Sequence, residues 1–223
     1  MRDEYDLIVI GGGPAGYVAA IRAASRGASV ALAERDALGG TCLNRGCIPA
    51  KSYLQTAETL VDARGWASRG IVLGSPPRLD MKAALACKDR AVKQLVGGVR
   101  TLLKSRKVDI LGGRAQLSGP RSVEVEGSGL YSARSVILAG GSISSRLPIP
   151  GADSKRVLLS EELLALDRVP ESLVIVGGGV IGVEMAQAFS AFGCKVTVVV
   201  LEKRILPAME ADLAQAMRAA LVD

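Results

Sequence analysis

Two apolar runs of four residues, each followed by a cluster of glycines, set the pattern of this chain. Leu7-Ile8-Val9-Ile10 leads into Gly11-Gly12-Gly13-Pro14-Ala15-Gly16, and Leu173-Val174-Ile175-Val176 leads into Gly177-Gly178-Gly179-Val180-Ile181-Gly182. The offset of 166 residues holds further on: Gly27 matches Gly193, and the apolar run 28–33 matches 194–199. Short apolar runs bounded by turn residues read as buried strands. Each copy therefore predicts strand, glycine turn, helix and second strand, a βαβ unit.

The stretch between the copies has a different rhythm. Residues 49–63 read as a helix that Gly65 and Gly70 break. Asp80 is placed to cap a second, longer amphipathic helix reaching about Ser105. Its apolar positions are Ala84, Ala91, Leu95, Val99, Leu102 and Leu103, and Gly97-Gly98 weaken its middle. Residues 108–111, 115–117, 123–125 and 135–138 read as strands, the last ending in Ala139-Gly140-Gly141-Ser142, and Pro148, Pro150 and Gly151 mark a linker. The fold class is α/β: a Rossmann-like dinucleotide-binding domain over residues 1–150, then an incomplete second Rossmann-like domain over 151–223. After Gly182 only one helix, one strand ending near Leu201 and a helical start over 209–221 remain. A nucleotide-binding sheet needs several parallel strands covered on both faces, so a fragment or truncated product is expected.

Composition narrows the possible functions. Apolar residues make up 49% and charged residues 22%, as in a folded globular chain. The mean hydropathy of +0.30 raises the question of a membrane span, yet no run of about 18 apolar residues supplies one. The net charge of +6 comes from Lys and Arg mixed with acids, the densest run being the solvated helix end 100–107. Without a long basic cluster or interleaved aromatics, neither a nucleic acid nor a membrane is an expected partner. Met1-Arg2-Asp3-Glu4 carries acids straight into a strand, unlike a signal peptide, so the cytoplasm is the expected location. There is no His, which removes the commonest metal ligand and the commonest general base at neutral pH; no metal site is expected.

The glycines carry candidate chemistry. Gly11 permits a tight turn, Gly13 lets backbone N–H groups approach a pyrophosphate, and Gly16 lets helix and strand pack closely. Pro14 and Ala15 open the helix, whose N-terminus favours an anion. Glu34, 18 residues after Gly16 and followed by Arg35, ends the second strand, where a carboxylate accepts from ribose hydroxyls. In the second copy Gly177, Gly179, Val180, Ile181 and Gly182 predict another dinucleotide, but Val200 stands where Glu34 does and accepts nothing. Glu202 shares that strand face about 7 Å further along. Loss of the acceptor costs on the order of 1–3 kcal/mol, so weak NAD capture is expected. NADP, its 2′-phosphate meeting Lys203 or Arg204, is the alternative.

Of four cysteines, Cys42 and Cys47 are close, while Cys87 and Cys194 stand alone and read as buried small apolar residues. A close pair in a reducing compartment is more often catalytic or metal-binding than structural. Two Cys without His or a second pair make half a zinc site. A disulfide needs Cα atoms within about 7 Å, which Cys-x4-Cys meets only if the chain curls. Pro49 suits the first turn of the following helix, whose dipole would favour an anionic sulfur nearby.

Residues 39–51, Gly39-Gly40-Thr41-Cys42-Leu43-Asn44-Arg45-Gly46-Cys47-Ile48-Pro49-Ala50-Lys51, resemble the redox motif of the FAD-dependent pyridine nucleotide–disulfide oxidoreductases. Leu43-Asn44-Arg45 and Ile48 are most similar to its dihydrolipoamide dehydrogenase branch. The resemblance runs over essentially the whole chain and includes Gly113-Arg114-Ala115, Ala139–Ser142 and Glu184. It implies FAD held by Gly11–Gly16, Glu34, Arg35, Gly40, Thr41, Cys42, Lys51, Ala115, Ala139, Gly140 and Gly141, and NAD held by the second glycine set. It also implies a Cys42–Cys47 disulfide, with Cys47 nearest the flavin, Cys42 exchanging with dihydrolipoamide or another small dithiol, and Lys51 near the flavin paired with Glu184. Ala50 stands where the family often has Ser, and Gly141 where it usually has Thr; both changes remove hydroxyls at the flavin site.

Members of this family are roughly twice as long. The second half carries the rest of the NAD domain and a homodimer domain whose His–Glu pair serves the partner's disulfide. A chain without His cannot supply that base, so negligible lipoamide turnover is expected from it alone. Mercuric and glutathione reductases share the cysteine pair, and a non-catalytic flavin-binding fragment is a further alternative. The dihydrolipoamide branch also implies a place in a 2-oxoacid dehydrogenase complex.

Overall fold

A computed structural model of the chain describes residues 3–222, so Met1 and Arg2 of the acidic N-terminal segment lie outside the described residues. The elements run β1 (Glu4–Ile10), α1 (Pro14–Ala24), β2 (Val30–Glu34), α2 (Gly40–Arg45), α3 (Cys47–Gly65), a 3-10 turn (Trp66–Arg69), α4 (Met81–Ser105), β3 (Asp109–Gly112), β4 (Ala115–Gly119), β5 (Ser122–Val125), β6 (Gly129–Leu138), α5 (Ser160–Leu163), β7 (Ser172–Val176), α6 (Val180–Ala191), β8 (Lys195–Val199) and α7 (Ala211–Val222). They group into two compact units, Met1–Pro49 with Arg90–Leu159 and Ala50–Asp89 with Ser160–Asp223. This grouping follows contact in space; the expected division at residue 150 follows the linker marked by Pro148, Pro150 and Gly151.

The first unit is built on a six-stranded sheet in the order β3-β2-β1-β6-β5-β4. The pairs β1–β2, β2–β3 and β1–β6 are parallel, and β5 pairs antiparallel with both β4 and β6. The central strands are covered on both faces, as a parallel sheet requires. Leu7, Val9, Val30 and Leu32 face a cluster with Val99 and Leu103 of α4. Ile8, Ala31 and Ala33 turn the other way, toward Val123, Val125 and Tyr131. Ile8, Val9 and Leu32 are fully buried, each contributing up to about 1.5–3 kcal/mol. At the start of β1, Asp6 accepts from Ser29 N–H at 2.9 Å and Ser29 Oγ–H at 2.8 Å. Those bonds, with Arg134 beside them, hold its carboxyl below the usual carboxylate range against the opposing effect of burial.

The sequence repeat is a repeat of register. Leu7↔Val30 through Ile10↔Ala33 becomes Leu173↔Val196 through Val176↔Val199 at the same offset. In the second unit Leu173, Ile175 and Val196 pack against Met185, Ala188 and Phe189, while Val174, Val176 and Val199 are exposed. Tyr53, Phe189 and Phe192 meet edge to face with ring centroids 5.8–6.4 Å apart. Tyr53 Oη and Lys88 Nζ both donate to the Leu164 carbonyl at 3.2 Å. Burial, helped by nearby Asp89, pushes the Tyr53 phenol up to about 12.

Asp80 does cap α4: its Oδ1 accepts from Ala83 N–H at 3.0 Å. The expected apolar stripe is corrected in part. Met81, Ala84, Lys88, Val99 and Leu103 are buried, whereas Leu95 and Leu102 are exposed. Because Lys88 takes the inward position of its turn, Cys87 points outward and is exposed, against the expectation of a buried residue. Cys194 is buried as expected, and burial pushes its thiol up. Among the described residues no helix is long and apolar enough to cross a membrane.

Candidate functional site

The C-terminal ends of β1, β2 and β6 meet at the first glycine turn. Gly11 has φ +108°, and a Cβ there would lie 2.1 Å from the Ala139 carbonyl oxygen, so the loop after β6 runs directly against the turn. Ala139 N–H donates to the Ile10 carbonyl at 2.8 Å. Gly16 closes the other side: a Cβ on it would lie 1.8 Å from the Gly11 carbonyl oxygen. Gly13 differs. A Cβ on it would meet only Gly40 Cα, at 3.9 Å, whereas a Cβ on Gly40 would come within 2.7 Å of Gly13 Cα. The opening turn of α1, N-capped by Gly13, thus lies against that of α2, N-capped by Gly39; neither has a side-chain cap. Two sets of uncapped N–H groups beside two glycines form a cradle suited to a pyrophosphate.

Glu34 sits beside this cradle. Its Oε2 accepts from Gly12 N–H at 2.7 Å and its Oε1 from Asp36 N–H at 2.8 Å. Each oxygen keeps a lone pair for a further donor. A cleft of about 440 Å³ opens next to it, lined by Glu34, Asp36, Leu38, Arg100, Lys104 and Ile110 among others. Gly113 N–H donates to the Glu34 carbonyl at 3.0 Å, which brings the segment leading to Ala115 to the same rim.

The cysteines follow the cradle directly. Cys42 is the third residue of α2, half-buried beside Leu43; Cys47 is the first residue of α3 and exposed. Gly46 separates the helices with φ −132° and ψ −107°. A Cβ on Gly46 would lie 3.1 Å from the Thr41 carbonyl oxygen and 3.5 Å from Cys42 Cα, so the break between the helices lies close against the backbone of the first cysteine. The structure does not join Cys42 and Cys47 by the expected disulfide.

Residues 5–223 match the model of the pyridine nucleotide-disulphide oxidoreductase family. The chain belongs to this family. It is 43% identical over 217 residues to a dihydrolipoyl dehydrogenase of Acholeplasma laidlawii, covering 96% of this chain and 64% of that one. It is also 43% identical to a dihydrolipoyl dehydrogenase of Thermus scotoductus, covering 97% and 46%. Among solved structures, the HOCl-induced flavoprotein disulfide reductase RclA from Escherichia coli superposes with a TM-score of 0.83 at 31% identity, over 98% of this chain and 47% of that one. The chain thus spans about half the length of most relatives it matches.

The second glycine turn in this family member is a copy with one part exchanged. Gly177 has φ +117°, and a Cβ on Gly182 would lie 2.2 Å from the Gly177 carbonyl oxygen, as Gly16 stands to Gly11. Gly12 faces Glu34 Oε2, whereas its counterpart Gly178 faces Val200 Cγ1, 2.4 Å from a built Cβ, with Ile205 beside it. Val200 therefore occupies the carboxylate's place. Arg204 donates to the carbonyls of Pro207 at 3.3 Å and Met209 at 3.0 Å; Glu202 and Lys203 are exposed. Val180 and Ile181 open α6 and are exposed.

Lys51 of α3 and Glu184 of α6 form an ion pair within the second unit. The expectation of a buried Lys is corrected: its side chain is 58% exposed, against 20% for Glu184. Pro14, Ala15, Arg35 and Thr41 are exposed around the cradle, and Gly141 has φ +71° in the loop after β6. Sequence reasoning passed over Gly12, Asp36, Leu38 and Asn44. Their signals were faint: a glycine between two better-known ones, and two polar residues and a leucine flanking a glycine pair. Among the described residues no group of three or more Cys, Asp or Glu side chains is arranged to hold a metal.

Proposed function

We propose that this chain is the FAD-binding, disulfide-bearing part of a dihydrolipoyl dehydrogenase, oxidising a small dithiol at the expense of NAD. The reading rests on one observation: the glycine cradle beside Glu34 leads directly into a short helix that carries Cys42, with Cys47 opening the next helix just past Gly46. Gly13 leaves room for a pyrophosphate, since a Cβ there would meet only Gly40 Cα at 3.9 Å, and Glu34 retains acceptor capacity for ribose hydroxyls. Bound flavin would supply a two-electron carrier between the cysteine pair and nicotinamide. Cys42 and Cys47 would take the electron pair first: the substrate's two thiols close to a disulfide while the Cys42–Cys47 bond opens to two thiols. Lys51, oriented by Glu184, is the charged residue that the family likeness assigns to the flavin. The 223 residues contain no His, so a proton-accepting imidazole would come from outside them, and these residues alone should turn over lipoamide negligibly. A homodimer, a 2-oxoacid dehydrogenase complex and a cytoplasmic setting accompany this reading. The test is a titration of the purified chain with FAD: quenching of flavin fluorescence at one equivalent supports it, and no quenching at millimolar FAD removes it.

Val200 favours a second reading of the nicotinamide side, in which NADPH is accepted as readily as NADH. A valine offers no acceptor to the ribose hydroxyls, and it offers no negative charge against a 2′-phosphate. NADH and NADPH are expected to bind within about threefold of each other, and Val200→Glu to strengthen NADH about tenfold while weakening NADPH. Parallel calorimetric titrations read both. A hundredfold preference of the unaltered chain for NADH would show that Val200 plays no such part.

A further inference from the structure

Between the two cysteines lie two side chains that the redox reading leaves unused, Asn44 and Arg45, and both reach backward. Asn44 Nδ2 donates to the carbonyls of Leu38 at 3.0 Å and Gly40 at 2.8 Å. Arg45 pairs with Asp36, whose own N–H donates to Glu34. Gly39 N–H donates to the Gly12 carbonyl at 2.8 Å. Helix α2 is therefore tied in three places to the loop after β2 and to the first glycine turn.

These ties matter because α2 cannot hold itself. It has six residues, whereas isolated helices shorter than about 12 residues are marginal in water. It is entered through Gly39 at φ +92° and Gly40 at φ +56°, conformations that leave glycine's full entropy cost to be met elsewhere. Were α2 to continue as helix past Gly46, the rise alone over five residues would be about 7.5 Å, beyond comfortable disulfide reach. Were it to fray, the two thiols would lose their mutual effective concentration.

We propose that Asn44 and Arg45 are positioning residues that hold α2, and with it Cys42, in place against the break at Gly46, so that the two thiols can come together as a disulfide. The proposal rests on the reading of those cysteines as a redox pair. Asn44 contributes more, because its two hydrogen bonds are partly buried, whereas the side chains of the ion pair are 44% and 57% exposed and screened by solvent.

The test equilibrates the whole chain with mixtures of oxidised and reduced dithiothreitol. The protein dithiol gives two electrons and two protons to oxidised dithiothreitol, forming the Cys42–Cys47 bond and the reduced reagent. Acid quenching, alkylation and peptide mass mapping report the equilibrium constant. Asn44→Ala is expected to shift it about tenfold toward the dithiol, the effect of one to two partly buried hydrogen bonds. Arg45→Ala should shift it about threefold, with that shift shrinking in 1 M salt. Arg45→Lys, and the exchange of charges in Asp36→Arg with Arg45→Asp, should return the constant toward the original value. Arg45 is on the surface, so its variants keep the experiment decisive if Asn44→Ala fails to fold. A bond that forms in all variants with one unchanged constant overturns the positioning role and leaves the redox pair standing. An unaltered chain that never loses two mass units between Cys42 and Cys47 overturns the pair, and the positioning role with it.

Discussion

Gly16→Ala is expected to unfold the first unit, whereas Gly13→Ala should leave it folded and unable to hold FAD. The difference follows from what each new methyl group meets. On Gly16 it would lie 1.8 Å from the Gly11 carbonyl oxygen and 3.3 Å from Val9 Cγ1. A carbonyl oxygen cannot rotate away as a flexible side chain does. Gly11 cannot retreat either: its N–H is bonded to the Ala33 carbonyl at 2.8 Å, and it is packed against Ala139, whose N–H is bonded to the Ile10 carbonyl at 2.8 Å. The strain therefore passes into β1, β2 and β6 together. A cost above about 4 kcal/mol is expected, rare among single substitutions and comparable with a domain's whole margin of about 5–15 kcal/mol. On Gly13 the nearest neighbour of a methyl group is 3.9 Å away, an ordinary contact, but the methyl fills space that a pyrophosphate needs. Urea unfolding followed by circular dichroism, with FAD titration alongside, separates the cases. Equal midpoints for Gly16→Ala and the unaltered chain would mean the turn is looser than its geometry states.

That contrast bears on how much of the molecule can be read from residues alone. The two βαβ units were legible because strand burial and glycine turns are local requirements, and the 166-residue offset carries over into strand register. Val200 was legible for the same reason, since a repeat shows which member of a set is missing. Other features depend on neighbours distant in sequence. The first half of β6 went unread, because Gly129-Leu130-Tyr131-Ser132 becomes a strand by pairing with β5. Helix α2 went unread, because Gly39-Gly40 argues against a helix locally and Asn44, Asp36 and Gly12 supply what holds it. Lys88 fills an inward turn of α4 that periodicity assigns to an apolar residue, because the Leu164 carbonyl accepts from it. The grouping of residues 50–89 with 160–223 has no local sign, since a linker marks only where a chain crosses.

With FAD bound, Cys42→Ser or Cys47→Ser is expected to halve the electrons the chain takes up, from four to two per chain in an anaerobic dithionite titration. The flavin accepts two electrons and a cysteine disulfide two, and either serine removes the second store whole, because a hydroxyl forms no bond equivalent to S–S. The two variants should nevertheless differ in reactivity. In the structure Cys47 is exposed and Cys42 half-buried beside Leu43. For the reduced chain without flavin, Cys47 should therefore react faster than Cys42 with iodoacetamide, since access is a main control on thiol attack. The family likeness puts Cys47 nearest the flavin and leaves Cys42 to the substrate. If that assignment is right, adding FAD covers the more accessible sulfur and inverts the order: Cys47 slows at least tenfold while Cys42 changes little. Access seen in the fold and the role inherited from relatives point to opposite cysteines, so this measurement tells them apart. An uptake of four electrons by either variant would take the disulfide out of the electron path. A Cys47 rate indifferent to FAD would move the flavin away from it.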